Sequence, residues 1–161
     1  MLDFSQMLAR FALALILGAL MGLERESAGK EAGIRTGMLV SGGAAIFSLI
    51  ALALPYLVAA NPNTLTDEIL VRSGAFAVIA NIIVGIGFLG GGIIIKTQDH
   101  VHGLTTAAVV WMMAAIGILA GLGMSEFAAA ATVISSGVLY ILRKAGIYEL
   151  IKPKEPNQPG F

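Results

Sequence analysis

Five apolar stretches, each close to 20 residues long, constrain this chain more than any other feature of its sequence. They cover approximately residues 4–23, 36–60, 73–95, 104–122 and 126–142. A helix of about 20 residues spans the roughly 30 Å hydrocarbon core of a bilayer. Only 12% of the 161 residues are charged, and the mean hydropathy is +0.87. The sequence therefore predicts an all-α integral membrane protein, a bundle of five transmembrane helices.

The first stretch must include Arg10, because the 13 uncharged residues 11–23 make a helix of only about 20 Å. An arginine inside a span either snorkels to the interface or pairs with an acid. Both readings stay open at this stage, and the acids expected on the same side are Asp3, Asp67 and Glu126. We expect the N-terminus to be uncleaved, because an acid precedes the first cation and no small-x-small cleavage site follows.

The distribution of Lys and Arg predicts the orientation in the membrane. With five spans, the connections at residues 24–35 and 96–103 and the C-terminal tail share one side, which carries eight of the ten cationic residues. Arg10 and Arg72 lie on the other side. The positive-inside rule then places the N-terminus outside and the C-terminus in the cytoplasm. The alternative has four spans, with residues 104–142 forming a hairpin that does not cross.

Composition and motifs also limit the possible functions. We expect a transmembrane domain over residues 1–142 and a cytoplasmic tail over residues 143–161 whose end is disordered. Ten Lys and Arg residues balance ten Asp and Glu residues, which indicates no nucleic-acid partner. The chain has no Cys, and its two His residues, His100 and His102, share one short connection beside Asp99. No nucleophile–base pair or metal site can be assembled from these residues, so we expect neither an enzyme nor a cofactor.

The connection between the first two stretches carries an unusual density of charge. Six of the chain's 20 charged residues fall within the 13 positions 24–36. A simple positive-inside loop needs only cations, so the alternation of Glu and Arg predicts specific ion pairs with other cytoplasmic helix ends. Glu24 closes the first stretch and Arg35 opens the second, so these two positions could face each other across the connection. The pair Glu24 and Glu26 would suit Mg²⁺, although Arg25 and Arg35 would neutralise such a site.

Polar and small residues inside the stretches add further candidates. Asn81 either makes an interhelical hydrogen bond or lines a polar cavity. Residues 85–90 match the dinucleotide-binding pattern, but they lie inside an apolar helix, so we reject that function. Tight helix packing is the preferred role of the glycines, and unwinding at Gly90–Gly92 is the alternative. The glycines expected to pack are Gly18, Gly22, Gly85, Gly87, Gly90, Gly91, Gly117 and Gly121, with Gly33 and Gly37 at the same spacing.

Four sequence blocks in order resemble the MgtC/SapB membrane protein family, which includes the YhiD-like proteins. They are Gly-Leu-Glu-Arg-Glu at 22–26, Ala-Gly-Ile-Arg-Thr at 32–36, Gly-Ile-Gly-Phe-Leu-Gly-Gly-Gly at 85–92 and Val-His-Gly-Leu-Thr-Thr-Ala-Ala at 101–108, followed by Trp111 and Ala-Ile-Gly at 115–117. Asn81 stands four residues before the third block, where the family usually has an amide. His102 stands where the family often has Arg.

The resemblance implies a five-span protein of the bacterial inner membrane, in a short form without the soluble C-terminal domain of longer members. Relatives are tied to growth under magnesium limitation, survival inside host cells, and effects on membrane potential or ATP synthase. Many act by binding other membrane proteins.

We therefore expect a regulator or adaptor that forms a homo-oligomer or binds partner helices in the bilayer. Its expected polar network comprises Glu24, Arg25, Glu26, Arg35, Thr36, Asn81, Thr105 and Thr106. The alternative is a channel or carrier for Mg²⁺ or another cation, with Glu24, Asn81 and Gly90–Gly92 along the route. The absence of Asp and Glu deep in the spans counts against that alternative.

Overall fold

The computed structural model describes residues 2–59, 74–97 and 100–145 of the chain. Within these residues the chain forms five helices, and each is long and apolar enough to cross a membrane. They are α1 (Phe4–Ser27), α2 (Ile34–Val58), α3 (Ala75–Ile93), α4 (Leu104–Leu122) and α5 (Ser125–Lys144). The prediction of five membrane-spanning helices is confirmed on these criteria. Asp67, Arg72 and Asp99 and most of the predicted tail lie outside the described residues.

A short antiparallel hairpin joins α3 to α4, where the sequence analysis predicts only a polar connection. Strand β1 (Ile95–Thr97) pairs with β2 (His100–His102), with Ile95 opposite His102. The β-branched residues Ile95, Thr97 and Val101 favour this extended backbone. The hairpin brings the end of α3 close to the start of α4.

Helix α1 extends beyond its apolar stretch and includes Glu24, Arg25 and Glu26. It ends in a Schellman motif, in which Gly29 N donates to Glu26 O at 3.0 Å and Lys30 N donates to Arg25 O at 3.0 Å. Gly29 has the left-handed φ of 63° that this motif requires. The irregular connection is therefore only residues 28–33, and the helix fixes the directions of the three charged side chains before it.

Helices α1, α2 and α4 form the core, and glycines let their backbones touch. A methyl group at Gly18 or Gly37 would collide with the backbone carbonyl of the other residue, and one at Gly117 would collide with the carbonyl of Ser41. The same test at Gly121 places the methyl 2.7 Å from Ala45 O. The side chains packed in this core include Ala14, Met21, Met113 and Ile116, which are fully buried.

Helix α3 differs from this core, and here the packing expectation for its glycines needs correction. A methyl group at Gly85, Gly87 or Gly91 would meet no atom within 4 Å. Only Gly90 faces another helix, because a methyl there would lie 3.6 Å from Ala107 Cβ, an ordinary contact. The helix continues through Gly90–Gly92 to Ile93, so the alternative of an unwound segment is not observed either. These three glycines therefore make no close contact within the described residues, and Gly85 lines an open groove between α2 and α3.

Helix α5 begins one residue earlier than the pattern predicts. Met124 holds the N-cap position and Ser125 is the first helical residue. Gly123, with φ of 89°, ends α4 and turns the chain at once. Met124 is the single residue between Gly123 and the first residue of α5.

Candidate functional site

The charged rim is the end of the bundle formed by the end of α1, residues 28–33, and the starts of α2 and α4. The four blocks that carry the family resemblance meet here. Gly22 lies against Gly33, because a methyl group on Gly22 would lie 2.5 Å from Gly33 O. Gly90 of the third block lies against Ala107 of the fourth, because a methyl group on Gly90 would lie 3.6 Å from Ala107 Cβ. Blocks far apart in sequence therefore converge at one end of the molecule.

Arg25 is the buried charge of the charged rim, with 5% of its surface exposed. Its Nη2 donates to Thr106 Oγ1 at 2.9 Å, and this bond joins α1 to α4. Its Nε has no hydrogen-bond partner within the described part of the chain. A buried guanidinium with an unused donor costs free energy. The bond to Thr106 satisfies one donor of Arg25 and so lowers the cost of burying the charge.

Glu24 faces α5 rather than the start of α2. Its Oε1 lies 3.8 Å from Arg143 Nη1, and the same nitrogen donates to Ser27 Oγ at 3.3 Å. Arg143 also lies over the ring of Tyr140, 5.5 Å from the ring centroid. Glu24 Oε2 is buried and lacks a partner among the described residues. The carboxylate of Glu24 therefore points to the end of α5, and the arrangement in which it faces Arg35 is not observed.

Glu26 caps a neighbouring helix. Its Oε2 accepts a hydrogen bond of 3.0 Å from Ile34 N, at the first residue of α2. A carboxylate at this position satisfies a free backbone donor and interacts favourably with the helix dipole. Gly33 makes the approach possible, because a methyl group there would lie 2.7 Å from Glu26 Oε2. The two carboxylates considered for Mg²⁺ therefore interact with different helices, Glu24 with α5 and Glu26 with α2.

The remaining predicted network residues do not join these contacts. Arg35 and Thr105 are exposed, and Thr36 is half-buried. Arg35 stands on the exposed side of the first turn of α2, while Thr106, next to Thr105, takes the buried position. Adjacent residues of a helix point to different faces, so Thr105 is exposed while Thr106 is buried.

Asn81 is also separate from the charged rim. It is exposed and lines an open groove of about 600 Å³ between α2 and α3. The walls of this groove are otherwise apolar and include Val40, Phe47, Val78 and Ile82. None of the described residues forms a hydrogen bond with the Asn81 side chain. The amide therefore stands in an apolar groove at membrane depth without a partner from this part of the chain.

Arg10 lies at the opposite rim, which consists of the start of α1 and the ends of α2 and α4. Its Nη1 donates to Gly121 O at 3.0 Å, near the end of α4. A cation beside the last carbonyls of a helix is favourable. Among the described acids, neither Asp3 nor Glu126 pairs with it.

The two histidines of the hairpin stack with ring centroids 6.3 Å apart. Within residues 2–59, 74–97 and 100–145, no group of three or more His, Asp or Glu side chains is placed to hold a metal ion.

Comparison with known proteins gives a consistent result. The model of the MgtC family matches residues 11–146. Protein MgtC of Salmonella typhimurium is 42% identical over 132 residues, which is 82% of this chain and 50% of that protein. Protein MgtC of Brucella abortus is 42% identical over 135 residues, 84% of this chain and 50% of that protein. The chain thus spans about half the length of the curated relatives it matches. No solved structure matches it significantly.

Proposed function

Because this chain belongs to the MgtC family, we propose that it is a regulator or adaptor of the bacterial inner membrane that acts by binding other membrane proteins. In this proposal the N-terminus lies outside and the charged rim faces the cytoplasm, as the positions of Lys and Arg favour. The link to magnesium limitation is the expectation that comes with the family resemblance.

The observation that carries this proposal is the position of Asn81. An amide that faces lipid loses its hydrogen bonds to water, so a partner that supplies a donor and an acceptor is favoured. The groove between α2 and α3 gives a transmembrane helix of a partner an apolar surface on both sides of the amide. Specificity would come from Asn81, because apolar contacts alone do not distinguish a partner helix from lipid.

The charged rim has a structural role in this proposal. The Arg25–Thr106 bond and the Glu26–Ile34 bond hold the ends of α1, α2 and α4 together. They keep α2 in place as one wall of the groove. The exposed side chains of Arg35 and Thr105 then stand on a fixed cytoplasmic surface that is available to a partner.

A cation route has weaker support from the same contacts. Oε1 of Glu24 lies 3.8 Å from Arg143 Nη1, and Oε2 of Glu26 accepts the backbone N–H of Ile34, so one oxygen of each carboxylate interacts with the protein. Asn81 lies in a groove that neither carboxylate lines. Glu24 and Asn81, which were suggested for a cation route, therefore lie in separate parts of the structure.

The test is recovery of partners by affinity purification from membranes for Asn81→Leu. We expect recovery of the bound partner to fall roughly 3- to 30-fold, the range that corresponds to one interhelical hydrogen bond. The thermal unfolding midpoint in detergent should not fall, because no described residue depends on this amide. Native mass measurement of the complex distinguishes a different protein from a second copy of the chain.

The matched control is Val84→Leu, which changes an exposed residue of the same helix (71% exposed) without changing polarity. It should leave partner recovery unchanged. Equal recovery for wild type and Asn81→Leu would refute the role of the amide. Mg²⁺ flux into liposomes that contain the purified protein would favour transport instead.

A further inference from the structure

A second cavity lies at the opposite rim, between the start of α1 and the ends of α2 and α4. Its volume is about 310 Å³, within the usual range for ligand pockets. Apolar walls come from Met7, Leu49, Leu52 and Ala53. Arg10 and Tyr56 line the same cavity, and they are the side chains that give it polar character.

The guanidinium of Arg10 has N–H donors that no described residue uses. Of its five N–H groups, the bond to Gly121 O uses one, on Nη1. No acid in the described part of the chain forms an ion pair with it. The turn at Gly123 keeps the group in place, since a methyl group there would lie 2.6 Å from Nη2. A cation is therefore held at the cavity, and most of its hydrogen-bonding capacity is not used by the described residues.

The depth of this cation matches a lipid headgroup rather than the bilayer centre. Arg10 is six residues after the first residue of α1, about 9 Å along the helix axis. Tyrosine is typical of the same interfacial zone, because its ring is apolar and its hydroxyl is polar. The apolar walls next to Arg10 suit a hydrocarbon chain, and guanidinium groups bind phosphate with two parallel hydrogen bonds.

We propose that this cavity binds an anionic phospholipid, with the phosphodiester at Arg10 and one acyl chain along Leu49, Leu52 and Ala53. This site is separate from the partner groove at Asn81 and does not depend on the proposed adaptor function. The bound lipid would occupy the space between α1 and α2 and stabilise their ends at the opposite rim.

Native mass spectrometry of the full chain in detergent tests the proposal by titration with phosphatidylglycerol, phosphatidylcholine or inorganic phosphate. We expect phosphatidylglycerol to bind roughly tenfold more tightly than phosphatidylcholine, because the choline cation of the latter offsets the phosphodiester charge that Arg10 would meet. Arg10→Gln should remove that preference, and Arg10→Lys should retain most of it. Ala53→Trp, which fills the cavity and keeps the cation, should also weaken phosphatidylglycerol binding about tenfold.

The control is Arg35→Gln, which removes an exposed arginine from the charged rim and should change nothing. If Arg35→Gln weakens lipid binding as much as Arg10→Gln does, the binding is general surface attraction and the proposal fails. Inorganic phosphate that binds as tightly as the lipid, and is unaffected by Ala53→Trp, would also overturn it, because the site would then recognise a free anion. Should Arg10→Gln fail to fold, Arg10→Lys and Ala53→Trp still decide between these outcomes.

Discussion

The core helices and helix α3 contain glycines at the same spacing, yet the two regions use them differently. In α1, α2 and α4 five glycines are points of backbone contact, namely Gly18, Gly22, Gly37, Gly117 and Gly121. In α3 the glycines Gly85, Gly87 and Gly91 face open space. Of the residues of α3, all of which are described, only Gly90 is buried. Spacing therefore indicates that close approach is possible, but not that it occurs within the chain.

The polar contacts repeat this difference between the core and an outer helix. Arg25 and Thr106 join two core helices through a buried bond of 2.9 Å. Glu24 and Arg143 join the core to α5 through a looser pair at 3.8 Å, in which the Arg143 side chain is 38% exposed. Buried, short contacts fix the core, whereas the outer helices are held by weaker ones.

The largest effect is expected from Gly37→Ala, because the added methyl group would collide with the carbonyl of Gly18 and move α1 away from α2. We expect a loss of about 3 kcal/mol or failure to fold. The matched control is Gly87→Ala on α3, which should stay within about 0.5 kcal/mol of wild type. Thermal unfolding followed by size-exclusion chromatography in detergent measures both. Similar losses for both variants would show that α3 also packs through its glycines.

The next largest effect is expected from Thr106→Val, which leaves the buried guanidinium of Arg25 without its acceptor. We expect a loss of about 1–3 kcal/mol. The exposed neighbour supplies the control, and Thr105→Val should change stability by less than about 0.5 kcal/mol. The double variant Arg25→Met with Thr106→Val should lose less than the sum of the single changes. Strict additivity in this cycle would mean that the two side chains do not interact.

A smaller effect is expected from Glu26→Gln, because the amide keeps an acceptor oxygen but removes the negative charge at the start of α2. We expect a loss of about 0.3–1 kcal/mol that decreases as salt is added. The control is Glu31→Gln, which changes an exposed acid of the same connection and should leave stability unchanged. Denaturation midpoints at low and high salt give the comparison, and an equal loss for Glu31→Gln would argue against the cap.

The smallest effect is expected from Arg143→Gln, because its pair with Glu24 is long and partly exposed. We expect a change between about 0 and 1 kcal/mol. Unfolding stabilities of Arg143→Gln and Thr106→Val measured in the same detergent compare a contact of an outer helix with a contact of the core. A loss larger than that of Thr106→Val would reverse the order of the two contacts.

Several features of the charged rim could be predicted only in outline. The density of Glu and Arg at residues 24–36 predicted ion pairs with other helix ends, but it did not identify Arg143 of α5 as the neighbour of Glu24. The partners depend on which face of α1 points to α4 and which points to α5. The single-residue step from Thr105 to Thr106 changes exposure to burial, and sequence alone does not fix that rotation.

Arg10 illustrates the same limit at the opposite rim. The sequence analysis offered an acid or the lipid interface as its partner, whereas the side chain binds the carbonyl of Gly121. Every residue has a carbonyl, so composition cannot identify the one that remains accessible. The end of α4 at Gly123 makes this carbonyl available, and the packing of α1 on α4 brings it within reach.

The sequence by itself determined that five apolar helices are present and where each approximately begins and ends. That information is local, because the length and hydropathy of one segment decide whether it can cross a bilayer. The tertiary structure alone decided which glycines touch, which carboxylate caps α2, and that Asn81 and Arg10 line separate cavities. Those outcomes depend on the rotation and tilt of each helix against its neighbours, which are set by contacts between residues far apart in the chain.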